Sequence, residues 1–99
     1  HVTNILPGSI RTNVSRNALT RGGERRGKSD AAIDNGMEPD ECARQILDAV
    51  ANNVPELIIA EGMEQQIALL RQSEPEQAFA MTAAMGAQIA EKYEAGDDD

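Results

Sequence analysis

The sequence predicts an α/β chain built on one strand–helix–strand unit with its two strands parallel. Three observations carry this. An apolar run over residues 1–6 is cut by Pro7-Gly8. Ala43, Ile46, Leu47, Val50 and Val54 recur at helical spacing and give one apolar face. Glu56-Leu57-Ile58-Ile59-Ala60 is a short apolar run of strand length. A strand, a one-faced helix and a second, buried strand in that order make a βαβ unit.

Residues 1–6 read as a strand through Val2, Ile5 and Leu6, although Thr3-Asn4 weakens the run. Pro7 has no amide hydrogen to give a ladder, and Gly8 tolerates backbone angles that other residues avoid. The chain is expected to leave the extended segment there, with the amides of residues 9–12 free to face a ligand. In an open parallel sheet, ligands sit beyond the carboxyl ends of the strands. The same residues equally suit an ordinary strand-to-loop turn.

Residues 11–36 are polar, rich in glycine and poor in apolar side chains. They read as a long loop with a short helical turn at 15–19, a length that suits a lid or an unstructured segment. Glu38-Pro39-Asp40-Glu41 is a helix start: proline fits the first helical position, and acids there suit the positive end of the helix dipole. Asn52-Asn53 and Pro55 end that helix. After Gly62 the pattern turns helical again, with Met63, Ile67 and Leu70 on one face. Ser73-Glu74-Pro75-Glu76 breaks it and starts another helix. There Met81, Met85, Ile89 and Tyr93 follow at steps of four, a stripe expected in a core or an interface. Gly96-Asp97-Asp98-Asp99 reads as a frayed acidic tail. Residues 1–60 thus hold the βαβ unit and its loop, and residues 61–99 a helical extension.

The 99 residues suffice for one small domain. The chain opens at His1, inside a strand-like run, and reads as a piece of something longer, because two parallel strands alone leave their edges bare. A net charge of −8 argues against a general nucleic-acid binder, and with Phe79 and Tyr93 as the only aromatics there is little to stack bases on. Six of the nine basic residues nevertheless fall between positions 11 and 28, with Glu24 the only acid among them. Cys42 is the only cysteine, so no internal disulfide forms, and with His1 the only histidine no zinc site is expected. Cys42 itself suits a small buried position. No apolar run approaches membrane-spanning length.

Gly22-Gly23-Glu24-Arg25-Arg26-Gly27-Lys28-Ser29 fits the phosphate-loop pattern G-x-x-x-x-G-K-[ST]. Its surroundings do not: no buried strand precedes it and a poor helix follows. A phosphate-loop nucleotide binder is the least favoured reading, a basic loop that attracts an anionic group a milder one, and a plain solvated loop the most favoured of the three. No nucleophile, acid–base pair or metal cluster stands out, and this segment contributes no catalytic residue.

With these pieces in order, the chain resembles the carboxyl-terminal third of a short-chain dehydrogenase/reductase. Val2-Thr3-Asn4-Ile5-Leu6-Pro7-Gly8-Ser9-Ile10-Arg11-Thr12 is similar to that family's sixth strand and its P-G-x-I-x-T turn. Asn13-Val14-Ser15-Arg16-Asn17-Ala18-Leu19-Thr20, then Gly27 and Asp30, resembles the branch called dehydrogenase/reductase member 7. So does Gly36-Met37-Glu38-Pro39-Asp40-Glu41-Cys42-Ala43 with Ile46-Leu47 and Ala49-Val50. Leu57-Ile58-Ile59-Ala60 falls where the seventh strand is expected.

The resemblance implies a Rossmann-like parallel sheet, NAD or NADP as cofactor, a small-molecule carbonyl or alcohol as substrate, and a homo-oligomer in the full-length form. It implies that Pro7 and Gly8 line the nicotinamide pocket. The Ile10 backbone would bond the carboxamide, assisted by the Thr12 hydroxyl. The loop over 13–36, with Asn13, Val14, Asn17 and Leu19, would be the substrate lid. The family's Gly-rich cofactor turn, catalytic serine and Tyr-x-x-x-Lys pair have no counterpart here, so the segment alone is expected to be catalytically incompetent. The choice between NAD and NADP, the compartment and any membrane anchoring would rest on residues ahead of His1. A reading of another class is a non-catalytic helical interaction module, in which the faces over 43–54 and 81–93 pair with another subunit.

Overall fold

β1 (Asn4–Pro7) and β2 (Glu56–Ile59) pair in parallel, with Ile5 beside Leu57, Leu6 beside Ile58 and Pro7 beside Ile59. Between them come a four-residue helix, α1 (Ala31–Asp34), and the crossover helix α2 (Pro39–Ala51). α3 (Gly62–Ser73) and α4 (Pro75–Glu94) follow. This computed structural model describes residues 1–96; Asp97 to Asp99, most of the expected acidic tail, lie outside the described residues. The class is α/β, with a two-stranded parallel sheet as in part of a Rossmann-like fold.

β1 is shorter at its start than expected and includes Pro7. Val2 is exposed and unpaired with β2. Pro7 is tolerated for a geometric reason. The amides of Asn4 and Gly8 donate to the Pro55 and Ile59 carbonyls, at 2.9 and 2.8 Å. Donors alternate along a strand, so the missing donor of Pro7 falls on the other edge, where it breaks no ladder bond.

The helices cover opposite faces of the pair. Leu57 lines a cleft with Ala49 and Val54 on the α2 side, whereas Leu6 and Ile58 line one with Ala68 and Arg71 of α3. Neighbouring strand residues point to opposite faces, which accounts for the split. Ile59 is the most buried large side chain, 1% exposed, and Cys42 and Ala49 of α2 and Ala78 of α4 are buried with it.

α2 starts with Pro39 in its first turn and Asp40 and Glu41 just behind, as read from the sequence. A two-pronged bond from Arg44 to Glu41, at 2.6 and 2.9 Å, and a further one from Gln45 hold the Glu41 carboxyl down to about 2. At the other end Asn53 takes a left-handed conformation, φ 55°. The Val54 amide reaches back to the Ala49 carbonyl and the Asn53 amide to Val50. This is a Schellman closure with asparagine in the usual glycine place, and half-buried Val54 as its apolar partner.

One expectation is corrected here. The loop over 11–36 is built rather than loose. Its single helical turn closes with the Asn17 amide on the Asn13 carbonyl, two residues before the expected start. A small hairpin follows, with Leu19 and Arg25 bridged antiparallel and the Arg26 and Gly27 amides donating to Ala18 and Arg16. Arg21 lies over the Tyr93 ring, 4.9 Å from its centre, so the hairpin tip touches the end of α4. The phosphate-loop pattern is spent on this hairpin. Gly23 and Gly27 supply its left-handed turns, no strand of the described residues leads directly into it, and the helix beyond has only four residues.

Of the core or interface expected for the stripe on α4, the described residues form no core around it. Met85 is half-buried, but Met81, Ile89 and Tyr93 are exposed, as is Met63 on α3. α4 packs mainly on α3, so only one side of it is covered.

Candidate functional site

Beyond Pro7 the chain runs over the carboxyl rim of the sheet. Ile10 makes a one-residue parallel bridge to Met37: the Met37 amide donates to the Ser9 carbonyl at 3.0 Å, and the Arg11 amide to the Met37 carbonyl at 2.9 Å. The residue in the middle of such a bridge turns its own N–H and C=O the other way. Among the described residues the Ile10 amide has no hydrogen-bond acceptor. Its donor and its carbonyl therefore stand together on the side away from Met37, just past the end of β1.

This corrects the expectation that the amides over 9–12 are all free. The Arg11 donor belongs to Met37. The Ser9 donor belongs to Glu64, in the first turn of α3, whose Oε1 accepts it at 3.0 Å while Oε2 accepts the Ser9 hydroxyl at 2.9 Å. The parallel strand geometry puts α3 and the stretch before α2 within reach of the Ser9 and Arg11 donors. Ser9, Gly36, Met37, Ala60 and Glu64 line a cavity of about 260 Å³ beyond the ends of both strands, with Met63 also on its wall.

Pro7 is exposed at the strand end, and Gly8 is half-buried facing Ala60 and Glu64. The Thr12 hydroxyl oxygen accepts the Val14 amide at 3.3 Å. Asn13, Val14 and Asn17 lie on the helical turn and Leu19 on the hairpin, and none of them lines the cavity. Val14 is 62% and Leu19 73% exposed, and Asn17 accepts a hydrogen bond from Arg25. Sequence reasoning missed Glu64, Gly36 and Ser15. An acid in the first turn of a helix looks like a dipole partner, and nothing local tells that Glu64 meets a residue 55 positions earlier.

Ser15 ties the hairpin to α1. It is buried, its hydroxyl donates to the Asp30 carboxylate at 3.1 Å, and it accepts from Arg26 at 2.8 Å and from the Asp30 amide at 3.1 Å. One donor and two lone pairs are thereby all used. The second Asp30 oxygen caps α1 through the Ile33 amide at 2.9 Å. That amide, with Ser15 and Arg26, holds the Asp30 carboxyl below its usual 3.8 against an upward push from burial. A carboxyl lowered by folding adds stability above its unfolded value, and the gain is lost as pH falls through the lowered one. Amide exchange at Arg26 and Gly27, corrected for intrinsic rates, is thus expected to quicken as pH drops below about 4. Asp30→Asn is expected to exchange fast already at neutral pH, with no such step; an unchanged step in that variant would assign it to another group.

Over 61 residues the chain is 39% identical to a Drosophila melanogaster protein, "Dehydrogenase/reductase SDR family protein 7-like", a match that covers 62% of this chain and 19% of that protein. The chain is a relative of the short-chain dehydrogenases/reductases. A Danio rerio "Dehydrogenase/reductase SDR family member 7B" is 37% identical to this SDR relative over 60 residues, 61% of the chain and 19% of that protein. The Bos taurus member 7B is 34% identical over 82 residues, 83% of the chain and 25% of that protein. The SDR-related stretch therefore spans a fifth to a quarter of the length of these relatives. No family model and no solved structure matches the chain.

Proposed function

We propose that this chain is the carboxyl-terminal part of an NAD(P)-dependent short-chain dehydrogenase/reductase that acts on a small-molecule carbonyl or alcohol. Its own work is binding and closure. The observation that carries the reading is the Ile10 donor and carbonyl, side by side on the open edge at the carboxyl rim of a parallel sheet. A primary carboxamide offers the matching acceptor and donor, so a nicotinamide amide group fits this edge. When bound, the nicotinamide ring supplies or accepts the hydride. Pro7 and Gly8 shape the end of the strand beside it, and Thr12 follows on the same rim. The loop over 13–36, with Asn13, Val14 and Asn17 on its helical turn and Leu19 on its hairpin, serves as the lid over the substrate, excluding water as it closes.

Without a Tyr-x-x-x-Lys pair no residue here is placed to deliver the proton that accompanies hydride transfer. The purified 99-residue chain is accordingly expected to give no NAD(P)H turnover with carbonyl or alcohol substrates. The reading frame that carries it is expected to encode both a Gly-rich turn and Tyr-x-x-x-Lys ahead of His1. A frame lacking both, or turnover by the 99 residues alone, overturns the proposal.

A second reading, the helical interaction module, draws on different residues. Leu47 is 70% and Ile89 65% exposed, on helices that each present an uncovered apolar side. Sedimentation separates the two: self-association of the complete protein that NAD(P)H leaves unchanged, together with absent turnover, favours the module. In the first reading the same faces join subunits of a homo-oligomeric enzyme.

A further inference from the structure

We propose that Glu64 is a positioning residue for the Ile10 edge, locking the turn after β1 so that Ile10 keeps its donor and carbonyl directed outward. The inference rests on the reading of that edge as the nicotinamide wall.

Every polar group of Ser9 is taken. Its N–H and its hydroxyl go to the two oxygens of Glu64, at 3.0 and 2.9 Å, and its carbonyl accepts the Met37 amide at 3.0 Å. The Ser9 carbonyl and the Ile10 N–H belong to one planar trans peptide and point in opposite directions. Fixing the carbonyl on Met37 therefore fixes the Ile10 N–H away from it. Met37 holds one side of Ser9 and Glu64 the other, so the plane cannot swing about the chain axis. A carboxylate suits the task because two acceptor oxygens meet two donors at once, and a charged acceptor makes the stronger bond. Gly8 is fitted to the same contact: a methyl group there would stand 3.0 Å from Glu64 Oε1 and 2.9 Å from the Ala60 Cβ. A purely dipole-related role for this acid would need none of these contacts with β1.

The complete enzyme provides the kinetic test. Glu64→Ala and Ser9→Ala are each expected to raise KM for NAD(P)H about 3–10-fold, with kcat within about twofold. Glu64→Gln, which keeps one acceptor oxygen, is expected to recover most of the loss. The double variant Ser9→Ala with Glu64→Ala is expected to be no worse than the worse single one, because both remove the same clamp. An unchanged KM in Glu64→Ala, or fully additive losses, overturns the assignment. A wild-type enzyme indifferent to NAD(P)H would instead overturn the reading of the edge. In that event the clamp is still decided on the 15N-labelled 99-residue chain. Glu64→Gln is expected to shift the Ser9 amide resonance and leave Ile10 in place, whereas Glu64→Ala moves both. An Ile10 resonance unmoved by Glu64→Ala overturns the clamp.

Discussion

Ile10→Pro is expected to weaken NAD(P)H binding by the complete enzyme about tenfold or more while leaving thermal stability nearly unchanged. Arg11→Pro, one position on, is expected to do the reverse. The two variants delete neighbouring amide hydrogens that point in opposite directions. The Ile10 donor has no partner among the described residues, so the fold loses no bond with it. A bound carboxamide would lose its donor and be left with an unsatisfied oxygen, which costs about 1–3 kcal/mol. The Arg11 donor is bonded to the Met37 carbonyl at 2.9 Å, and its loss is expected to destabilise the chain by about 1–3 kcal/mol. Because the Arg11 side chain also pairs with Glu38, Arg11→Ala serves as the control for that exposed ion pair. Thermal melts and cofactor titrations of the three variants decide the matter. Equal stability losses in Ile10→Pro and Arg11→Pro would mean that Ile10 does not face an open edge.

Gly36→Ala is expected to be the most damaging single-methyl change in the chain. A methyl group at Gly36 would lie 2.5 Å from the Ser9 carbonyl oxygen, 2.7 Å from its carbon and 3.0 Å from the Ile10 nitrogen. All three are backbone atoms and cannot rotate aside. The two stretches must separate, which stretches both hydrogen bonds of the Ile10–Met37 bridge. Overpacking of this kind costs about 1–3 kcal/mol, and two weakened bonds add about 1 kcal/mol each. For a domain of this size that corresponds to a fall in Tm of roughly 10 °C or more. Gly8→Ala is expected to cost less, because one of its two close neighbours is the Glu64 carboxylate, at the end of a side chain that can move. A Gly36→Ala protein that melts with the wild type would show that the bridge to Met37 does not hold in solution.

Much of the fold was legible because it follows from local rules. Pro39 with Asp40 and Glu41 marks the start of α2, Asn52-Asn53 its end, and Pro75 the start of α4, all within a residue or two of where the elements lie. The apolar runs located both strands. Pro7 was harder, since whether a proline ends a strand depends on which edge its missing donor faces, and that is settled only by pairing with β2. The hairpin over 16–27 escaped notice for a different reason. It is held by main-chain bonds and by one buried hydroxyl, Ser15, rather than by an apolar pattern. The rim residues divide likewise. Pro7, Gly8 and Ile10 stand out as a local motif, but Glu64 and Gly36 act through contacts with a segment more than twenty residues away. Only the assembled sheet brings those groups together.

The outward ring of Pro7 has a bearing on how copies of this chain meet. A second molecule laid strand to strand along β1 would find a donor at Ile5 and none at the next position facing it, so a continuous ladder could not zip up there. Stacking into fibres through that border is disfavoured by the same single proline that leaves the pairing with β2 intact.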